Sequence, residues 1–181
     1  MSKFYFFFGT MGAGKSAYAI NKAYEFRERN LEVMLAVPKS LDVNFIDSRS
    51  GLRLDAIKLP VHIPSTVDIL IVDEAQFLSK DEVINIRNFC TNGRSAFCYG
   101  LRTDFQGNIF EGAKYIFALA DSIREIPSMC KICRKKSIFN FRNSDNKNTI
   151  CLDKNIYEPL CFDCFSRKQE NLFKSVATKN R

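Results

Sequence analysis

Phe4-Tyr5-Phe6-Phe7-Phe8 followed by Gly9-Thr10-Met11-Gly12-Ala13-Gly14-Lys15-Ser16 is the stretch that decides the fold. The first five residues form an aromatic run that suits a buried strand. The next eight fit the pattern G-x-x-x-x-G-K-[ST], and residues 17–29 are helix-forming, with no Gly or Pro. Strand, glycine loop and helix in that order predict a phosphate-binding loop. Gly9, Gly12 and Gly14 let the backbone bend closely and aim its N–H groups at phosphate oxygens. Lys15 is placed to reach β- and γ-phosphates, and the Ser16 hydroxyl to ligate Mg²⁺. The expected ligand is a nucleoside triphosphate.

Outward from the loop, residues 31–37 (Leu-Glu-Val-Met-Leu-Ala-Val) read as a second buried strand stopped by Pro38. Residues 39–52 are polar, without clear periodicity, and are expected to form a loop. Residues 56–63 have room for a short strand, interrupted by Pro60 and ended by Pro64. Val67-Asp-Ile-Leu-Ile-Val72 is a strong strand signal. Ser79, with Glu82 three residues on, makes a capping box for a helix reaching about Cys90, with Val83, Ile86 and Phe89 facing inward. Residues 96–100 and 115–120 read as further strands. Strands alternating with helices predict an α/β fold of the P-loop NTPase type over residues 1–126, its mainly parallel sheet flanked by helices.

The strand at 69–72 ends in Asp73-Glu74. A carboxylate at that place is the partner a phosphate loop needs to hold Mg²⁺, and Asp73 fits. Glu74 points differently and is the candidate to take a proton from an attacking hydroxyl or water; the other reading is a supporting or surface carboxylate.

Past residue 126 the pattern changes. Cys130-Lys-Ile-Cys133 and Cys161-Phe-Asp-Cys164 are two C-x-x-C knuckles with 27 residues between them. Four thiolates so spaced match a closed tetrahedral zinc site, structural because no coordination position stays open. Residues 127–168 are therefore expected to form a small zinc-ribbon-like domain with a long internal loop, and 169–181 a basic, mobile tail. Cys90, Cys98 and Cys151 lack metal spacing, and His62 is the only histidine.

Hydrophobic residues make up 46% of the 181 and charged ones 26%, a globular balance. No apolar run has the length of a membrane span, and the N-terminal aromatic stretch is too short for a signal peptide, so a cytoplasmic setting is expected. The net charge of +7 is spread out. An anionic small substrate accounts for it as well as nucleic acid does.

Four segments together resemble one family, the type II thymidine kinases: residues 9–16, Asp73-Glu-Ala-Gln-Phe-Leu78, Tyr99-Gly-Leu-Arg-Thr-Asp-Phe-Gln-Gly107 and the paired knuckles. The resemblance covers residues 4–165, and Ala118-Leu-Ala-Asp-Ser122 shares in it. It implies transfer of the ATP γ-phosphate to the 5′-hydroxyl of thymidine or deoxyuridine in nucleotide salvage. Glu74 then matches the general base, Asp73 and Ser16 the magnesium site, and Met11, Phe77, Leu101, Phe105 and Phe110 the walls around the nucleoside. Between the knuckles such proteins carry a lasso loop and a tyrosine that closes over the base, matched here by Tyr157. A homotetramer is also implied, with no membrane and no nucleic acid as partner.

The chain departs from that pattern in two places. Leu152 and Asp153 stand where the lasso usually has a Gly-Gly pair, and Asp42-Val-Asn44 stands where the family has Asp-x-Arg. Arg49 is the residue available to replace the missing arginine near the phosphates. Two other readings stay open at this level: a zinc-containing ATPase that grips nucleic acid, from the charge and the cysteines, and a kinase-like nucleotide-binding protein without turnover, from the altered lasso.

Overall fold

The computed structural model describes residues 2–143 and 156–179, with side chains to Glu170. In chain order it runs β1 (Phe4–Phe8), α1 (Lys15–Arg27), β2 (Val33–Val37), β3 (Phe45–Asp47), β4 (Arg53–Asp55), β5 (Ile57–Lys58) and β6 (Ile69–Val72). A 3-10 turn (Ala75–Phe77) leads to α2 (Lys80–Phe89), β7 (Ser95–Gly100), α3 (Glu111–Leu119) and β8 (Ser122–Glu125). Then follow β9 (Phe139–Arg142), β10 (Tyr157–Leu160) and α4 (Phe162–Lys179).

Six strands form one sheet in the order β5-β2-β6-β7-β1-β8, every neighbouring pair parallel. Side chains alternate across a strand, and here they sort into two cores. Phe4, Phe6, Leu70, Val72, Ala96 and Cys98 pack under α2 and α3 with Val83, Ile86 and Ile116. Tyr5, Phe7, Ile69, Ile71, Phe97 and Tyr99 pack on the other face with Ala19, Ile20 and Ala23 of α1. Both faces are covered, which explains why the strands are apolar throughout and not alternating. The sheet places the ends of β1, β6 and β7 along one edge, where ligands of open α/β sheets bind.

Ser79 caps α2 as expected: its hydroxyl accepts from the Glu82 N–H, and the Glu82 carboxylate accepts from the Ser79 N–H. Two expectations are corrected. Residues 115–120 belong to α3 and not to a strand; Gly112, Ala113 and Ile116 face the core at helical spacing. The parallel strand beside β1 is instead β8, largely exposed and held by backbone pairing. The 39–52 stretch is not all loop, because Phe45–Asp47 pairs antiparallel with Arg53–Asp55 as a hairpin.

Asp121 ties the start of β1 to the connection into β8. Its carboxylate accepts from the Phe4 N–H at 2.7 Å and from Arg87 Nη1 at 2.5 Å. The backbone bond to Phe4, then Arg87, lowers its pKa. A depressed carboxylate contributes stability above its unfolded value of about 3.9, lost as pH falls through the lower folded value. Asp121→Asn is expected to cost about 1 kcal/mol at pH 7, discounted for partial exposure, with the difference from wild type vanishing in acid. Denaturant melts at pH 7 and pH 3 check this; an equal cost at both pH values would contradict it.

The small unit after β8 pairs β9 with β10 antiparallel. Phe141, Leu160 and Phe165 pack with Cys130, Cys161 and Cys164 as its core. α4 starts at the second knuckle and runs on past residue 168.

Candidate active site where two clefts meet

The loop between β1 and α1 is built by glycine geometry and one buried cation. Gly14, at φ 87°, sits in the left-handed region that favours glycine and turns the chain into α1. Lys15 Nζ donates to the Gly9 carbonyl at 3.1 Å and the Thr10 carbonyl at 2.9 Å. Burial lowers its pKa, while Glu74 and Asp73 act to raise it. The loop lines a cleft of about 330 Å³ with Gly12, Gly14, Lys15, Ser16, Asp47, Arg49 and Glu74 on its walls.

Asp73 continues the β6 ladder, its N–H donating to the Ala36 carbonyl at 3.1 Å. Ser16 lies near enough to act on its carboxyl, so the two groups expected at a Mg²⁺ ion lie together. Burial, then the neighbouring Glu74 charge, pushes the Asp73 pKa up to about 6. A crowded acidic pair beside a phosphate cleft is a fit donor set for a hard divalent cation.

Glu74 adopts φ 53°, uncommon for a residue with a side chain and costly by about 1 kcal/mol or more. Gln76, 2% exposed, fixes the carboxylate: its Nε2 donates to Glu74 Oε2 at 2.6 Å, and its Oε1 accepts from the Leu101 N–H at 2.9 Å. The Leu101 donor determines which end of the amide faces Glu74. Gly100 makes room, since a Cβ there would stand 2.8 Å from Gln76 Oε1. Sequence reasoning gave Gln76 no role. Gln76→Ala is expected to lower kcat about tenfold and to cost 1–3 kcal/mol (order of magnitude) through the orphaned Leu101 N–H. Steady-state kinetics and denaturant melts check both, and an unchanged kcat would contradict the positioning role.

On the other side of Glu74 lies an apolar cavity of 250 Å³. Met11, Phe77, Leu101, Phe105, Phe110 and Tyr157, the six residues expected around a nucleoside, all line it. Phe77 and Phe110 meet edge to face at 5.4 Å. The Arg142 guanidinium lies 3.6 Å over the Phe105 ring. Leu41, Val43 and Phe45, from the stretch expected to be loop, complete the wall. Met11, Asp47 and Glu74 border both this cavity and the phosphate cleft.

The four knuckle cysteines converge as expected, their Sγ atoms all within 4.8 Å of one another and free of disulfides. A tetrahedron with Zn–S bonds of about 2.3 Å has edges near 3.8 Å, so the cluster fits zinc. The unit it would staple touches the phosphate loop directly. Met11 N–H donates to Asn140 Oδ1 at 2.7 Å, and the Thr10, Ser128 and Ser137 hydroxyls form a triangle at 2.5–2.9 Å. Asn140, Ser128 and Ser137 also escaped the sequence reading. Cys151, Leu152 and Asp153 lie outside the described residues. Among the described residues no helix is long and apolar enough to cross a membrane.

A family model described as thymidine kinase matches residues 2–165. The thymidine kinase of Zymomonas mobilis is 36% identical over 166 residues, 83% of this chain and 85% of that protein. That of Haemophilus influenzae is 35% identical over 165 residues, with the same shares covered. That of Mesorhizobium japonicum is 33% identical over 181 residues, 89% of each. Among solved structures, unliganded Pif1 from Bacteroides sp matches at a TM-score of 0.41 and 12% identity. This chain covers 37% of that one and 69% of itself is matched, a likeness too slight to bear on function.

Proposed function

The chain belongs to the thymidine kinase family, and on that premise we propose that it transfers the γ-phosphate of ATP to the 5′-hydroxyl of thymidine, and of deoxyuridine. The observation that carries this reading is the meeting of the phosphate cleft and the apolar cavity at Glu74. A donor held by Gly9, Thr10, Met11, Gly12, Ala13, Gly14, Lys15 and Ser16 and an acceptor among the six cavity residues would face each other there.

Most of the catalysis in such a site is positioning and charge stabilisation. The loop N–H groups and Lys15 orient the triphosphate. Glu74, held by Gln76, accepts the proton of the 5′-hydroxyl as that oxygen bonds to phosphorus. Ser16 and Asp73 would hold Mg²⁺, which when bound offsets charge on the phosphate oxygens. Thymine offers an apolar face and a methyl group, which suits walls of Phe, Leu and Met. Cys130, Cys133, Cys161 and Cys164 would hold a structural zinc, whose chemistry is to fix the small unit and not to react. The tetramer and the cytoplasmic setting implied by the resemblance go with this proposal.

A panel of thymidine, deoxyuridine and deoxycytidine with ATP and Mg²⁺, beside a nucleic-acid-stimulated hydrolysis assay, tests it. Thymidine and deoxyuridine are expected to be phosphorylated and deoxycytidine not. Hydrolysis that responds to nucleic acid with no nucleoside dependence would replace the reading with a nucleic-acid ATPase. Tight nucleotide binding without product would replace it with a turnover-deficient protein.

A further inference from the structure

The phosphate cleft has a second cationic wall that the glycine loop does not supply. The tip of the β3–β4 hairpin brings Asp47, Ser48, Arg49 and Ser50 into the cleft lined by Gly12, Gly14, Lys15 and Ser16. Arg49 Nη1 lies 3.6 Å from the point where a Cβ on Gly12 would stand, so the guanidinium is at the bend of the loop. Its charge acts on Lys15, pushing the ammonium pKa down.

The tip is a built turn. The Ser48 N–H donates to the Leu52 carbonyl at 2.9 Å, and the Ser48 hydroxyl accepts from the Leu52 N–H at 3.0 Å. The Ser50 hydroxyl joins Ser48 at 2.9 Å, and the Gly51 N–H donates to the Ser48 carbonyl at 3.1 Å, with Gly51 at φ 84°. Below it, Ile46 is buried in the α1-side core, and the Arg53 guanidinium stacks 3.6 Å over the Phe45 ring. Arg49 is thus presented to the cleft from a turn anchored in the core, and a preorganised charge costs little reorganisation when the reaction occurs.

We propose that Arg49 is a further catalytic residue, its guanidinium gripping the γ-phosphate of ATP and offsetting the charge that develops there during transfer. This rests on the phosphate-transfer reading above. In the step, the bond from phosphorus to the β,γ-bridging oxygen breaks, and ADP leaves with its electron pair. The 5′-oxygen bonds to phosphorus as its proton passes to the Glu74 carboxylate. Arg49 contributes only N–H donors, in a fork that can span two phosphoryl oxygens where the Lys15 ammonium is a point charge.

The experiment compares wild type, Arg49→Met and Arg49→Lys in kcat, in KM for thymidine, and in calorimetric titration with ADP and with an imido analogue of ATP. Arg49→Met is expected to lower kcat about 100-fold, with the thymidine KM within about twofold. It is expected to weaken the analogue about tenfold and ADP less than about twofold, because ADP lacks the phosphate in question. Arg49→Lys is expected to recover less than about a tenth of the lost kcat, since an ammonium cannot reproduce the fork. A kcat for Arg49→Met within about threefold of wild type, or equal weakening of ADP and analogue, would overturn the proposal. Lys15→Ala is the separate control: unchanged affinity for both nucleotides there would overturn the phosphate site itself. The titrations discriminate between the two nucleotides even without turnover.

Discussion

Glu74→Gln is expected to lower turnover about a thousandfold while leaving ADP affinity within about twofold, the span a positioned general base usually contributes. The substitution keeps size and shape, so the walls of both cavities stand. It removes one of the two carboxylates, with Asp47, that border both the phosphate cleft and the apolar cavity, and the one that Gln76 holds in place. The local structure is arranged around that carboxylate. The backbone takes φ 53° at Glu74, and a buried amide anchored on the next strand's exit holds one oxygen. Single-turnover measurement separates a slowed chemical step from slowed release. A kcat within about threefold of wild type would remove Glu74 as the base and leave the left-handed backbone without a catalytic reason.

Disabling the four-cysteine cluster is expected to have the second large effect. The small unit has a core of a few Phe and Leu residues around the four cysteines, too little to stand alone. Structural zinc contributes on the order of 10–16 kcal/mol to small modules, comparable to or above the stability of a whole domain. Cys161→Ser should drop bound zinc from about one ion per chain to near none. The unit carries Tyr157 and Asn140 of the acceptor wall and the Ser128 and Ser137 hydroxyls that bond Thr10. Thymidine affinity should therefore fall by about tenfold or more, with ADP affinity falling less, because the loop keeps its own glycine geometry and Lys15. Metal analysis with paired titrations reads this. Wild-type thymidine affinity in the zinc-free variant would show that the unit takes no part in the acceptor site.

The legible parts of the sequence were those whose chemistry is local. The Phe4–Phe8 run, the glycine loop and its helix are contiguous, and the Ser79–Glu82 capping box closes within four residues. Asp73 and Glu74 follow directly from the strand that presents them, and the knuckles announce themselves by spacing. What escaped depends on distant partners. Gln76 acquires its place from Leu101, and Asn140 from Met11 across the whole chain. α3 was misread because 115–120 is a short apolar window compatible with either period. Its true start follows Phe110, which offers no side-chain cap. β8, Ser-Ile-Arg-Glu, carries no apolar signal because it is an exposed edge held by β1. The β3–β4 hairpin was hidden in polar sequence, and with it the turn that presents Arg49.

The most direct test follows the label from γ-³²P-ATP in a reaction with thymidine, Mg²⁺ and the purified protein. The label is expected to appear in thymidine 5′-monophosphate, in step with ADP and only when thymidine is present. Label found only in inorganic phosphate, or retained in ATP while both ligands bind, would contradict it.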